Sequence, residues 1–514
     1  MRENRWMGRS HDDEIERKYD VDAAVVFPDL AAADGVDSVG QPQTFRLEAV
    51  YFDTPGLDLA RRGLTLRRRT GGYDEGWHLK LPAGPDTRTE LHEPVGGMGE
   101  VPETFRMRVR AIARDRPLEP VATVSTDRRE YPLVDSQGAV LALVSDDRVR
   151  AQHLGDAEGE QSWREWEVEL KTGPRSLLDA VGEQLFAAGA SPASVSSKLA
   201  RAIGELPAAR STPGSTSGGP KVTVEQLLSA ELAKHLERLL EQDAGVRAER
   251  TEAVHRVRIS ARRLRSALTT FRPMLDTSVT DPVREELRWL GESFATARDA
   301  QVLREHLGAV LAAEPAELVV GPVRTRLEDE LGAEFEAGRE AAKHALDSDR
   351  FIRLLDAIEE LIASPPLQSD GGRPARTSMP GLLARDVKRL KRAVRAIEHA
   401  DDPADRDLAF HEARKKAKRL RYAAESAASV LGHRARVLAA DTKEIQQTLG
   451  IHQDTVVARR RLREYGMQAH LDGQNTFTIG RLHALEQARA ERAEAEFAVL
   501  WAQFRARHVK RWTR

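Results

Sequence analysis

The spacing of apolar residues changes once along this chain, and that change constrains the fold more than any other feature. Up to about residue 205, short segments alternate polar and apolar residues: Glu14 to Lys18, Leu64 to Arg69, Trp77 to Leu81, Val140 to Val144 and Glu165 to Lys171. Period two is the mark of strands with unlike faces. From Val222 onward apolar residues recur at helical spacing, as in Val257, Ala261, Leu264, Leu268 and Phe271. Between the two regimes, LPAARSTPGSTSGGP at 206–220 has neither periodicity nor the apolar content to fold, and reads as a flexible linker. The expected architecture is α+β in two domains, with an antiparallel β domain at 9–205, a linker at 206–221 and an all-α domain at 222–508.

Composition removes several function classes. Lys and Arg number 79 against 81 Asp and Glu, for a net charge of -2, so a globally basic nucleic-acid binder is excluded and only local clusters can attract anions. Cysteine is absent, so any metal must be held by oxygen or imidazole. No apolar run is long enough to span a bilayer and the first twenty residues carry no apolar core of a secretory signal, which predicts a cytoplasmic protein without a membrane partner.

On a strand, residues two apart share a face. Glu14, Glu16 and Lys18 therefore project together, as do Glu165, Glu167, Glu169 and Lys171, with Trp166, Val168 and Leu170 on the opposite, core-facing side. Arg67 with Arg69, His78 with Lys80, and Arg88 with Glu90 and His92 add further pairs. One such strand is usually the wet face of a sheet. Several, carrying both carboxylates and cations, predict a sheet curled into a barrel with a charged lumen. Carboxylates bind hard divalent cations and Arg and Lys bind phosphate oxygens, so the expected ligand is Mg2+ or Mn2+ with a phosphate chain.

These residues carry a resemblance. Glu14-x-Glu16-x-Lys18, Arg67-x-Arg69, Lys80, Arg88-x-Glu90, Asp146, Glu167-x-Glu169 and Ser197-Lys198 follow in the order of the CYTH, or triphosphate tunnel metalloenzyme, family, which residues 9–205 resemble. The resemblance implies a tunnel barrel that hydrolyses inorganic triphosphate or another triphosphate with a divalent metal. It assigns Glu14, Glu16, Asp146, Glu167 and Glu169 to the metal, and Lys18, Arg67, Arg69, Lys80, Arg88, Arg128 and Lys198 to the phosphates. Glu14, Glu16, Lys18, Glu167 and Glu169 form the implied catalytic set. One strand departs from the pattern: Ser125-Thr126-Asp127-Arg128 lacks the first of two cations and places an acid beside the second.

The helical region contains a repeated block. Val254 to Leu268 aligns without gaps on Phe410 to Ala424, matching His255 to His411, Arg258 to Arg414 and Arg263-Leu264-Arg265 to Arg419-Leu420-Arg421. Leu290-Gly291 and Asp299 find counterparts in Leu449-Gly450 and Asp454. We read an internal duplication, 222–363 and 381–508, separated by an irregular stretch from Ser364 to Gly381 and forming two bundles about a pseudo-two-fold axis. Helical spacing puts His255, Arg258, Arg262 and Arg265 on one stripe and His411, Arg414, Lys418 and Arg421 on the other, with Lys415 flanking the second. The blocks are similar to the CHAD domain, and that resemblance implies inorganic polyphosphate along a basic groove formed by these nine residues.

The leading expectation is an enzyme, a triphosphatase with a polyphosphate-holding helical domain. A non-catalytic polyphosphate-binding or granule-associated protein is the second reading, and an adenylate cyclase-like barrel the third. Few aromatics accompany the basic helices, which argues against nucleic acid.

Overall fold

A computed structural model describes residues 12–84, 86–96, 99–155, 159–204, 221–247, 250–368 and 372–513; the expected linker at 206–221 lies outside them except for Lys221. The chain forms two compact units divided near residue 209.

In the first unit the strands are β1 (Asp12–Val21), β2 (Ser38–Val39), β3 (Gln43–Asp53), β4 (Thr65–Thr70), β5 (Gly76–Gly84), β6 (Thr87–Glu93), β7 (Glu119–Val134), β8 (Val140–His153), β9 (Gln161–Leu170) and β10 (Ser191–Pro192). The helices are α1 (Glu103–Ala113), α2 (Ser176–Ala187) and α3 (Lys198–Ile203). Among the described residues, eight strands run antiparallel in the order β1-β6-β5-β4-β3-β7-β8-β9, and pairing of β9 with β1 closes the ring. Every expected strand is present, and the alternating pattern sorts its residues as the sequence predicts. Tyr19, Val144, Trp166 and Val168 face outward and are sealed by Leu177, Leu178, Val181 and Leu185 of α2. Inside the barrel, Ala49, Tyr51, Val124, Val149 and Ala151 pack on Leu199, Ala202 and Ile203 of α3, filling that part of the lumen with apolar atoms. Ser197 caps α3, its hydroxyl accepting from the Ala200 amide, so the next residue, Lys198, is aimed at the polar remainder. The β4–β5 turn needs glycine at position 71: φ is +80° there, and a Cβ would fall 2.0 Å from the Arg46 carbonyl oxygen.

The second unit is helical, with α4 (Val224–Arg247), α5 (Thr251–Phe271), α6 (Thr277–Ser293), α7 (Ala295–Ala312), α8 (Val323–Asp347), α9 (Asp349–Ala363), α10 (Ala375–Glu398), α11 (Pro403–Leu431), α12 (His433–Leu471) and α13 (Phe477–Phe504). The repeated blocks lie on α5 and α11. Their apolar stripes are buried as expected: Val257, Ala261 and Leu264 on α5, and Ala413, Ala417, Leu420 and Ala424 on α11, are all 0% exposed. Two expectations need adjustment. The irregular stretch ends at Pro374, because Ala375 and Met379 are fully buried and anchor the first turns of α10. The two sequence halves also do not keep separate cores, since Leu307 and Leu311 of α7 and Leu327 and Leu331 of α8 share one cluster with Ala458 and Leu462 of α12 and Leu482 of α13.

Candidate functional site

The barrel lumen is lined by Glu14, Glu16 and Lys18 from β1, Arg67 and Arg69 from β4, Lys80 from β5, Arg88 and Glu90 from β6, Thr126, Arg128 and Glu130 from β7, Glu167 and Glu169 from β9, and Lys198 from α3. The register explains who meets whom, because β1–β9 pairing sets Glu16 beside Glu169 and Lys18 beside Glu167. Glu167 is the hub. Its Oε1 accepts from Lys18 Nζ and, at 2.8 Å, from Lys198 Nζ, while Oε2 accepts from Arg128 at 2.6 Å. Arg128 also grips Asp147 with two parallel bonds of 2.8 and 2.7 Å. On the opposite wall Lys80 pairs with Glu14, and Glu90 accepts from His78 Nδ1 at 2.9 Å while Arg67 stands 3.8 Å away. Arg88 approaches Glu16 at 3.5 Å, and Arg69 pairs with Asp74.

Burial and partners split the carboxylates. Burial, followed by a hydrogen bond with Glu90, pushes Glu14 up to about 8. Burial also opposes ionisation of Glu16, yet Lys18 and Lys80 prevail and hold it at about 2. Glu167 is likewise buried, and Lys18, Lys198 and Arg128 hold it well below the usual carboxylate range. Glu14 and Glu90 thus share a proton at neutral pH, while Glu16 and Glu167 are anions.

The donor set fits a hard divalent cation. Asp147, Glu165 and Glu167 bring three carboxylate oxygens within 4.8 Å of one another, and Lys198 Nζ sits among them at 2.9, 2.6 and 2.8 Å, so the protein itself places positive charge there. Glu16 Oε1 is buried without a hydrogen bond, which leaves a lone pair aimed into the lumen beside Glu14 and Glu169. Oxygen donors of this kind suit Mg2+ or Mn2+.

Asp146 requires correction. Its carboxylate receives Arg164 at 2.7 and 2.8 Å and the Trp166 indole N–H at 3.0 Å, all on the outer face. Asp147, 0% exposed, is the residue turned toward the lumen cations, paired with Arg128 at 2.7 Å and Lys198 at 2.9 Å. Sequence parity carried that signal, since Asp146 is in phase with Ala142 and Val144, which lie in the outer core. Sequence places Glu165 and Glu90 on the charged faces without giving either a role, and misses Asp147 and Glu130; Glu130 follows Arg128 by two and shares its face. The departure on β7 is milder than its sequence suggests. Asp127 points outward, 53% exposed and 3.9 Å from Arg150, so only the replacement of a cation by Thr126 alters the lumen.

The helical unit brings the two basic stripes together. Arg262 on α5 donates through Nε to the Tyr422 hydroxyl on α11 at 3.1 Å, and Arg263 pairs with Glu425 at 2.6 Å. Arg258 meets Asp299 at 2.9 Å, His411 Nδ1 lies 2.6 Å from Gln453 Oε1, and Arg421 pairs with Glu425 at 2.7 Å. The side chains of Arg265, Arg414 and Lys418 make no hydrogen bond or ion pair among the described residues. Burial, then Arg414 and Arg262, lower Lys418 to about 7. His255 is lowered by burial and by Arg298 and Arg262, which keeps the imidazole neutral. Lys415 does not join this cluster: it is 51% exposed and paired with Glu412.

Residues 12–203 match the CYTH domain and residues 230–463 the CHAD domain. The chain is a CYTH–CHAD protein. A relative in Mycobacterium tuberculosis, Uncharacterized protein Rv2226, is 39% identical over 500 residues, which cover 94% of each chain. Among solved structures, PptA from Streptomyces chartreusis aligns at 23% identity and TM-score 0.46, covering 55% of this chain and all of its own. The CHAD domain from the plant Ricinus communis aligns at 25% identity and TM-score 0.45, covering 56% and 94%. The CYTH domain places the barrel in a metal-dependent triphosphate tunnel family that includes triphosphatases and cyclases. No helix among the described residues is long and apolar enough to cross a membrane.

Proposed function

We propose that the CYTH tunnel hydrolyses a linear triphosphate, inorganic tripolyphosphate foremost, and that the CHAD domain binds inorganic polyphosphate. One observation carries the first half: a closed lumen in which Glu14, Glu16, Glu167 and Glu169 meet Lys18, Arg67, Arg69, Lys80, Arg88, Arg128 and Lys198. Glu14, Glu16 and Glu169, with Asp147, Glu165 and Glu167 as a second acidic group, would hold a divalent metal, whose chemistry there would be to neutralise phosphate charge and activate water. The fixed cations bind the phosphate oxygens and hold charge steady as it shifts toward the leaving group. An entering phosphate chain would draw Lys18, Arg128 and Lys198 from carboxylate to phosphate oxygens and leave the Glu167 carboxylate free to act as a ligand. Arg265, Arg414 and Lys418 support the second half, being partly buried cations whose side chains make no hydrogen bond or ion pair among the described residues, as suits a polyanion site.

The experiment is phosphate release from tripolyphosphate, ATP and thiamine triphosphate by the full chain, each with and without Mg2+ or Mn2+. Metal-dependent release is expected, fastest with tripolyphosphate. Thr126 in place of a tunnel cation favours the second reading, a polyphosphate-binding protein without turnover; the absence of release from any of the three establishes it. Cyclic nucleotide formed from ATP instead of free phosphate marks a cyclase. A polyphosphate binder of this kind is expected in the cytoplasm at polyphosphate granules.

A further inference from the structure

The outer face of α10 carries charge of one sign. Arg385, Lys388, Arg392 and Arg395 are exposed and recur at steps of three and four, so they form a single row about 15 Å long, with Lys391 beside it. Their side chains make no hydrogen bond or ion pair among the described residues. Like charges one helical turn apart repel, and a solvated helix relieves this by interleaving acids. Other helices of this unit do so: Arg288 meets Glu285 at 2.6 Å, Arg339 meets Glu336 at 2.6 Å, and Lys343 meets Glu340 at 3.1 Å. The acids of α10 are Asp386 and Glu398 alone. Asp386 is 2% exposed and turned inward, where it meets Arg389 at 2.7 Å and Arg419 of α11 at 2.9 Å. Glu398 closes the last turn, beyond the row.

Arginines join this helix to the basic groove. Thr269 on α5 is the counterpart of Glu425 on α11, one position beyond the repeated blocks. Glu425 neutralises Arg263 and Arg421 at 2.6 and 2.7 Å. Thr269 carries no charge, so Arg265, the counterpart of Arg421, has no carboxylate to pair with on the next turn. The Thr269 hydroxyl instead donates to the Arg265 carbonyl at 2.7 Å and accepts from Arg284 Nε at 3.1 Å, while the Thr269 carbonyl accepts from Arg419 at 3.1 Å. Arg265, Arg284, Arg419 and Arg389 thus follow one another from the groove to α10, the last two meeting at Asp386. Arg284 is also held by Asp281 at 2.6 Å. The middle of this path is therefore partly neutralised, and cations without partners stand at its two ends, Arg265 in the groove and the row on α10.

We propose that the polyanion track continues past the groove, over Arg284 and Arg419, and along the outer row of α10, so that a long polyphosphate chain makes contacts a short one cannot reach. The proposal rests on the polyphosphate reading of the groove and adds chain-length selectivity to it. A linear polyanion is the occupant that suits the row, which is single, straight and without the exposed large apolar side chains that a lipid surface or a base-stacking strand would use. A chain already held in the groove presents its free end to α10 at high effective concentration, so the second contact adds affinity without a second encounter.

The test measures binding of end-labelled short-chain and long-chain polyphosphate to the full chain in metal-free buffer across a salt series, with circular dichroism to confirm folding. Lys388→Glu with Arg392→Glu, both at exposed positions, should weaken long-chain binding at least about tenfold and reduce its salt slope by roughly one to two, leaving short-chain binding within about twofold. Arg414→Glu with Lys418→Glu should weaken both lengths. An α10 variant that affects both lengths equally, or neither, overturns the proposal. So does a loss confined to duplex DNA as a parallel probe, which would assign the row to nucleic acid. If the groove variant leaves both lengths unchanged, the groove reading fails and the continuous track with it; if the groove variant weakens both and the α10 variant neither, the extension alone fails.

Discussion

The tunnel and the helical groove use the same cations in opposite ways. In the tunnel Lys18, Lys80, Arg128 and Lys198 each lie against a carboxylate, and Glu167 alone accepts from three of them. In the groove Lys418 faces mainly other cations, Arg414 makes no close ion pair although Asp454 and Arg262 both lie near it, and burial depresses both. Internal pairing lets the barrel bury many charges without a ligand, and it suits a guest that is itself mixed in sign, a metal with a phosphate chain. Unpaired cations instead store repulsion that only an anion relieves, so the groove favours a pure polyanion.

The largest expected effect comes from breaking the tunnel's hub. Glu167→Gln leaves Lys18, Lys198 and Arg128 under-compensated, so we expect a stability loss of about 3–5 kcal/mol by denaturant titration, with at least about 100-fold less phosphate release. Next comes charge reversal in the groove. Arg258→Glu with Arg262→Glu should weaken polyphosphate binding by at least about 100-fold near 0.1 M salt, and the wild-type affinity should itself fall steeply across a salt series. Loss on this stripe matching the loss on the α11 stripe supports one shared groove; loss on one stripe alone separates them.

Lys418→Met sharpens the contrast, because removing a cation should stabilise this site. The lysine pKa is lowered from the unfolded value of 10.5 to about 7. Between these values the unfolded chain binds more protons, so this group's contribution to stability rises with pH across the window. The variant should therefore gain about 1–3 kcal/mol at pH 6 and progressively less as pH approaches 10, measured by urea unfolding at each pH. A gain independent of pH would contradict a charge origin. A smaller effect concerns Glu14, raised from 4.5 to about 8. Its stabilising share is complete below pH 4.5 and is lost as pH rises through about 8, and a divalent cation that binds there should release up to about one proton at pH 7. Calorimetry of Mg2+ or Mn2+ binding in buffers of different ionisation enthalpy counts it.

Much of the barrel was legible because period two fixes faces: Glu14, Glu16 and Lys18 point inward, and Trp166 and Val168 outward, as alternation requires. The site was harder wherever adjacent residues were chemically alike. Asp146 and Asp147 differ only in parity, and the apolar residues that set the parity, Ala142 and Val144, sit upstream on the same strand. Asp146→Asn should cost about 1–3 kcal/mol through Arg164 and Trp166 with phosphate release unchanged, whereas Asp147→Asn should impair release. The merging of the two helical halves into a shared core was not legible, because helical periodicity identifies a buried face without naming the helix that covers it.

The division of labour is tested most directly by crossing two variants with two assays on the full chain. Glu16→Gln removes a tunnel acid, Arg414→Glu with Lys418→Glu reverses a groove stripe, and each protein is assayed for metal-dependent phosphate release from tripolyphosphate and for long-chain polyphosphate binding, with circular dichroism to confirm folding. We expect the first variant to lose turnover and keep binding, and the second to lose binding and keep turnover. Loss of both activities in either folded variant, or no metal-dependent release from the wild-type chain, would contradict it.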